Sequence, residues 1–374
     1  MDKSAEISEK TGRLMRMLAA ENLGGVLLSS QHNFSWLTAG SRNGIDTSRE
    51  PGAGALLVRR DGKRFVLASR IEMPRLLTEE LAAEDFEPIE FGWEEEKASP
   101  SFLVDRARAL LYEADSLGSD LYMSASVPAV EGVLARCRYE LTPPEIDRFK
   151  QLGREAGLAI SSLMRSLTPG ETERKIARRA SDALAAYGIH AVVNLVAADE
   201  RIDSYRHPIP TGKKWERVLM VVVCARRGGL IASLTRIISA GSVSDELKRR
   251  TEAASNVNAQ LLSETRPGAI GAELYTVAAR AYQREGFEGE EHLHHQGGAT
   301  GYRTRDWVAH PFCEERVHLH QAFAWNPSVT GTKVEETTIV SSDGIEAITS
   351  TPDWPQISAQ AGGREYLSPN VLPL

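Results

Sequence analysis

Residues 169–189, PGETERKIARRASDALAAYGI, and residues 267–287, PGAIGAELYTVAARAYQREGF, carry the reading on which the fold turns. Each stretch opens on Pro-Gly. Each then reaches a glycine, Gly188 or Gly286, 19 positions after its proline, followed at once by apolar Ile189 or Phe287. Ala180 matches Ala278 and Ala183 matches Ala281, while Tyr187 and Tyr282 lie near the ends. Each copy reads as a turn, a helix stopped by a left-handed glycine, and then a strand, which predicts a duplicated α/β half-domain. Between and beyond the copies run apolar, β-branched segments at 192–197, 218–224, 230–238, 322–325 and 337–340, most of them bounded by glycines or polar turns. Helices beside a curved antiparallel sheet make the expected class α+β.

Upstream, Ile7, Leu14, Met17 and Leu18 sit at helical spacing within residues 5–21. A strand at 26–28 and a polar turn at 29–33 follow. Runs at 55–58 and 65–68 around Asp61-Gly62 read as a hairpin. Helices are expected after Ser69 and over 101–114, giving an α/β domain over residues 1–141. Leu141-Thr142-Pro143-Pro144 marks the boundary, with Thr142 placed to cap a helix from about Glu145. A second domain spans 142–350. Pro, Gly, Ser and Gln then dominate, so 351–374 reads as a loosely attached tail.

The 374 residues are 42% hydrophobic and 25% charged, the balance of a folded chain. A net charge of −7 offers no broad basic field for nucleic acid or an anionic membrane. The longest apolar run, 218–225, is far short of the ~20 residues that span a bilayer. The first six residues lack the apolar core of a secretory signal. Three cysteines, Cys137, Cys224 and Cys313, are an odd and sparse set that suits a reducing cytoplasm.

Six of the nine histidines, His292, His294, His295, His310, His318 and His320, crowd into residues 292–320. Histidine is the commonest metal ligand and titrates near neutrality. Read as a strand, the segment puts His292 and His294 on one face and His295 on the other. Gln296-Gly297-Gly298 follows, where the backbone can approach a ligand closely. Three further segments carry polar groups at apolar strand ends: Tyr205-Arg206-His207-Pro208; Cys224 with Ser233-Leu234-Thr235-Arg236; and Asn326-Pro327 with Lys333-Val334-Glu335-Glu336. Alone, Cys224 reads as a small core residue. Of Glu335 and Glu336, adjacent on a strand, one should face inward.

In this order and spacing, these segments resemble the pita-bread superfamily of methionine aminopeptidase, aminopeptidase P, prolidase and creatinase. Residues 1–141 resemble the creatinase-type N-terminal domain, with residues 32–38 in place of its asparagine-and-aromatic motif. Residues 142–350 resemble the duplicated catalytic domain. The resemblance implies a hydrolase acting on a C–N bond. Its peptidases hold two metal ions with two aspartates, one histidine and two glutamates. Here Cys224 and Ser233 stand at the aspartate positions, His295 (or His294, one residue away) at the histidine, and Asn326 and Glu335 at the glutamates.

With three of four carboxylates replaced, the expectation is a metal-independent hydrolase of a small polar nitrogen compound, with no cofactor. His207 matches creatinase's proton-shuttling histidine. Glu335, His295, Tyr302 and Cys224 complete the candidate catalytic set. Asn326, Ser233, Arg206, Arg236 and His294 would bind substrate. Phe34 and Trp36 would reach the partner's site in a homodimer. The alternatives are a single zinc on Cys224, His295 and Glu335, a metal-dependent Xaa-Pro aminopeptidase or dipeptidase, a lyase of specialised metabolism, and a non-catalytic binding protein.

Overall fold

The computed structural model describes residues 3–82, 84–113 and 115–374, in two compact units, Met1–Glu145 and Ile146–Leu374. In the first, helix Lys3–Ala20 buries Ile7, Leu14, Met17 and Leu18. A mixed sheet runs in the order Glu87–Phe91, Arg64–Ser69, Pro51–Arg59, Gly25–Ser30, Leu117–Ser119. The predicted hairpin is there, with Leu56 opposite Val66. The expected polar turn at 29–33 is instead the start of a helix, Gln31–Leu37. The Ser30 side chain caps it by accepting from the Asn33 N–H, and Asp120, remote in sequence, accepts from the Ser29 and Ser30 amides. Of the helix predicted over 101–114, the described residues form Phe102–Arg108, and residue 114 lies outside the described residues.

At the boundary, Thr142 and Glu145 form a reciprocal capping box for helix Pro143–Arg165: the Glu145 carboxylate accepts from the Thr142 N–H, and the Thr142 hydroxyl from the Glu145 N–H. In the second unit the sequence repeat becomes a structural one. Helix pair Pro143–Arg165 and Glu173–Ala185 precedes strands His190–Ala198, Val218–Arg227 and Leu230–Ser239. Helix pair Asp245–Glu264 and Gly271–Arg284 precedes Gly297–Thr300, Ala322–Trp325 and Glu336–Ser341. Gly170, Gly188, Gly268 and Gly286 all take positive φ. The copies differ after the second helix. His190–Ala198 starts at once, whereas a 3-10 turn, Glu290–His292, and a loop intervene before Gly297. His292, His294 and His295 are therefore not alternating strand residues.

The two larger sheets of this unit meet along strand Leu230–Ser239. Ser233 N–H donates to the Thr337 hydroxyl, which donates back to the Ser233 carbonyl, and Thr235 N–H donates to the Glu335 carbonyl at 3.1 Å. The expected loose tail is an ordered hairpin, Gln356–Ala361 with Arg364–Pro369, followed by Leu372–Pro373, which pairs with Leu230–Ser239. Its Ala359 and Ala361 cluster with Ala259, and Val371 and Trp354 are buried. Burial of these few apolar side chains outweighs a polar composition. Among the described residues, no helix is long and apolar enough to cross a membrane.

Candidate functional site

The site lies in the second unit, where strand register does the positioning. Cys224 pairs with Ser233, and Trp325 pairs with both Gly297 and Glu336. Asn326 is thereby tied to the histidine segment, its N–H donating to the Gln296 carbonyl at 3.0 Å. Gly297 has φ +96°, and a Cβ there would stand 2.2 Å from the Ala324 carbonyl oxygen, so only glycine fits. Its N–H donates to His295 Nδ1 at 3.2 Å and fixes that ring.

The loop after His190–Ala198 brings His207 to His294 and His295. The three offer nitrogen atoms all within 4.8 Å of one another. His207 Nε2 and His294 Nε2 are 3.1 Å apart. The His294 and His295 ring centroids are 4.3 Å apart. His294 is buried, while His207 and His295 open to solvent. Desolvation lowers all three pKa values: to about 3 for His294, helped by the Lys333 charge; to about 4 for His295, helped by Arg305 and Lys333; and downward for His207, again with Lys333. At neutral pH these are uncharged imidazoles with lone pairs to give.

Charged groups lie near enough to act on them. Glu335, 2% exposed, receives Lys333 Nζ at 2.9 Å and the Thr235 hydroxyl at 2.8 Å on Oε2, and Arg305 at 3.3 Å on Oε1. Burial alone would raise this carboxyl; the charges of Lys333 and Arg305 prevail and hold it at about 2.

Of the remaining candidates, Asn326 is buried with its Oδ1 unpartnered, and Tyr302 is buried. Cys224 accepts the Ser233 hydroxyl at 3.3 Å, and burial and then the Glu335 charge push its thiol pKa up, away from a thiolate. Arg206 is engaged by Glu290 at 2.5 Å and Thr330 at 2.9 Å. Arg236 is fully buried, paired with Glu336 at 2.9 Å and donating to the Thr349 and Thr235 carbonyls; these are structural partnerships. Phe34 and Trp36 are wholly buried inside the first unit, which leaves them no surface for substrate. His292 is exposed beside Glu291, and His310 accepts from the Phe312 N–H. Sequence reasoning missed Lys333 and Arg305 as site residues. The i, i+2 spacing of Lys333 and Glu335, which puts alternate strand residues on one face, was the available signal.

Residues 147–345 match the model of metallopeptidase family M24. The chain belongs to that family, in an α+β pita-bread fold. It is 22% identical over 233 residues to an Xaa-Pro dipeptidase of Pyrococcus furiosus, a match spanning 59% of this chain and 66% of that protein, just under two thirds of its length. It is 21% identical over 323 residues to the Xaa-Pro dipeptidase of Lactobacillus helveticus, covering 79% and 86% of the two chains. The structure of dipeptidase PepE from Mycobacterium ulcerans superposes with a TM-score of 0.78, at 17% identity and full coverage of both chains.

Membership bears out the expected hydrolase of C–N bonds. It corrects two other expectations: a metallopeptidase family and Xaa-Pro dipeptidase relatives overturn both the metal-independent reaction and the lack of a cofactor. The expectation rested on counting carboxylates only; His207, expected as a proton shuttle, lies with His294 and His295 in a group of nitrogen donors. The residues present do not fit a carboxylate-bridged pair of ions, because Glu335 is already neutralised by two side-chain cations and Cys224, Ser233 and Asn326 supply no anionic oxygen. Nor do Cys224, His295 and Glu335 form a zinc set. Among the described residues, the one group of three metal donors is His207, His294 and His295. Three neutral imidazoles, one with an unpartnered buried Nδ1, fit a single divalent ion.

Proposed function

We propose that this chain is a metal-dependent hydrolase of a small dipeptide-like amide of the Xaa-Pro type, using one divalent ion on His207, His294 and His295. The cluster of three nitrogen donors within 4.8 Å carries the reading. A bound ion would supply Lewis acidity to the scissile carbonyl. The protein's own part is to keep the imidazoles unprotonated, to hold the His295 ring against the Gly297 amide, and to offer Asn326 Oδ1 as an acceptor for a substrate N–H. His207 Nε2 and His294 Nε2 lie 3.1 Å apart, so both would be available to hold the ion. The three cysteines, all unpaired, support a cytoplasmic setting, and the family resemblance supports a homodimer.

The test is metal analysis of the purified chain, with proline release from Xaa-Pro dipeptides measured in chelator and after adding back zinc, manganese or cobalt. Loss in chelator and recovery with one ion per chain is expected. Full turnover in chelator, or no release from any Xaa-Pro dipeptide under any ion, overturns the reading.

A further inference from the structure

His207 stands on a loop that apolar packing does little to hold. Of the described residues from Asp203 to Lys214, only Pro208 is buried, and Tyr205 and Ile209 are 52% and 70% exposed. Yet His207 meets His294, 87 positions away, at 3.1 Å. Polar ties supply the constraint, and they converge on one carboxylate. Glu173, in the first turn of helix Glu173–Ala185, is wholly buried. Its Oε1 accepts from the Ala198 N–H and from Arg201 Nε, each at 2.9 Å. Its Oε2 accepts from the Thr211 N–H at 2.8 Å and from the Thr211 hydroxyl at 2.6 Å. Arg201 in turn donates to the Ile209 carbonyl at 2.9 Å and lies over the Tyr205 ring, 5.0 Å from its centroid. Tyr205 and Ile209 are the residues two before and two after His207. Asp199 closes the root of the same loop, accepting from the Arg217 and Val218 N–H groups at 2.8 and 3.0 Å. Desolvating a carboxylate is costly, and the hydrogen bonds that offset it at Glu173 come from the strand end and loop that carry His207.

We infer that Glu173 is a positioning residue of the histidine cluster: from outside the site it fixes the loop that presents His207 to His294. Its carboxylate sets Arg201 and Thr211, and these set the backbone on both sides of the histidine. An outer tie of this kind orients a ligand side chain without touching the ion. In Glu173→Gln the amide accepts on one atom and donates on the other, so one of the two pairs of donors loses its acceptor. The inference deepens the proposed function and rests on it only for the ion; the meeting of the two rings does not depend on that reading.

The test begins in EDTA, with the histidine rings isotope-labelled. The unaltered chain should show a nuclear Overhauser contact between the His207 and His294 rings, and Glu173→Gln should lose it. Zinc affinity, measured by chelator competition, should fall about tenfold in Glu173→Gln. In a His207→Ala background the same substitution should change affinity by no more than about twofold, whereas its effect on melting temperature should be the same in both backgrounds. A carboxylate that only stabilised the fold would weaken zinc binding equally in both. Thr211→Val, which deletes only the hydroxyl donor, should show a smaller version of each effect and takes the place of Glu173→Gln if that variant does not fold. A ring contact that survives in both variants, its absence from the unaltered chain, or an equal loss of zinc affinity with and without His207 overturns the inference. No zinc bound to the unaltered chain faults the single-ion reading, and the ring contact then decides the inference alone.

Discussion

Among the described residues two lysines are buried, and they are built differently. Lys10, in the first unit, has three acceptors for its three N–H donors: Glu6 Oε1 at 2.6 Å, Glu145 Oε1 at 2.7 Å and the Trp36 carbonyl at 2.7 Å. Lys333, in the second, has one carboxylate. The first arrangement is closed, and its charges hold one another. The second is left with a single counter-charge. A buried charge is structural where its partners are complete and points to a ligand where they are not.

That contrast breaks if Lys333 proves as structural as Lys10. Lys10→Met should be the most damaging change, at about 3–5 kcal/mol in chemical denaturation, because it takes away the ammonium that Glu6 and Glu145 share at a buried place. Lys333→Met should cost less, since Arg305 and Thr235 stay on Glu335. Equal losses would remove the distinction.

Glu131 extends the closed region. Burial alone would raise its pKa, but the His32 hydrogen bond and the Arg138 charge bring it down to about 2. A carboxyl depressed in the folded state stabilises above its unfolded pKa, near 4.5, and loses that contribution as pH falls through about 2. Stability of the unaltered chain should therefore drop across this window by up to about 3 kcal/mol, while Glu131→Gln flattens the dependence in a pH series of melts.

In the open region, His294→Ala should lower ion affinity and proline release about a hundredfold, with little change in melting temperature. Unchanged metal content would detach His294 from the site. The smallest effect belongs to Ser30→Ala, which removes the cap of helix Gln31–Leu37 and should cost about 1 kcal/mol.

What could be read from the sequence was local. Strand 322–325, the Asp61-Gly62 hairpin and the Thr142 cap depend on near neighbours, as do the paired Pro-Gly and terminal glycines of the repeat. Helix Gln31–Leu37 was hidden because Ser30 and Asn33 owe part of their order to Asp120, far along the chain. The tail was misread because a few buried alanines decide its fate within a polar composition. At the site, the crowding of His294 and His295 before Gln296-Gly297-Gly298 was legible. The roles of Lys333 and Arg305 were not, because Lys-Val-Glu reads as solvated surface until burial is known. The meeting of His207 with His294 was missed for a related reason: the two are 87 positions apart, and only the folded loop brings them together.

The seam between the two sheets has a further consequence. It is stitched by the amides and carbonyls of Ser233, Thr235 and Glu335 and by the Thr337 hydroxyl, so its strength depends little on the side chains of Ser233 and Glu335. Side chains there can be exchanged, acid for thiol or amide, without loosening the frame. Such a frame tolerates experiment: one wall can be rewritten for new chemistry while the architecture that aligns it persists.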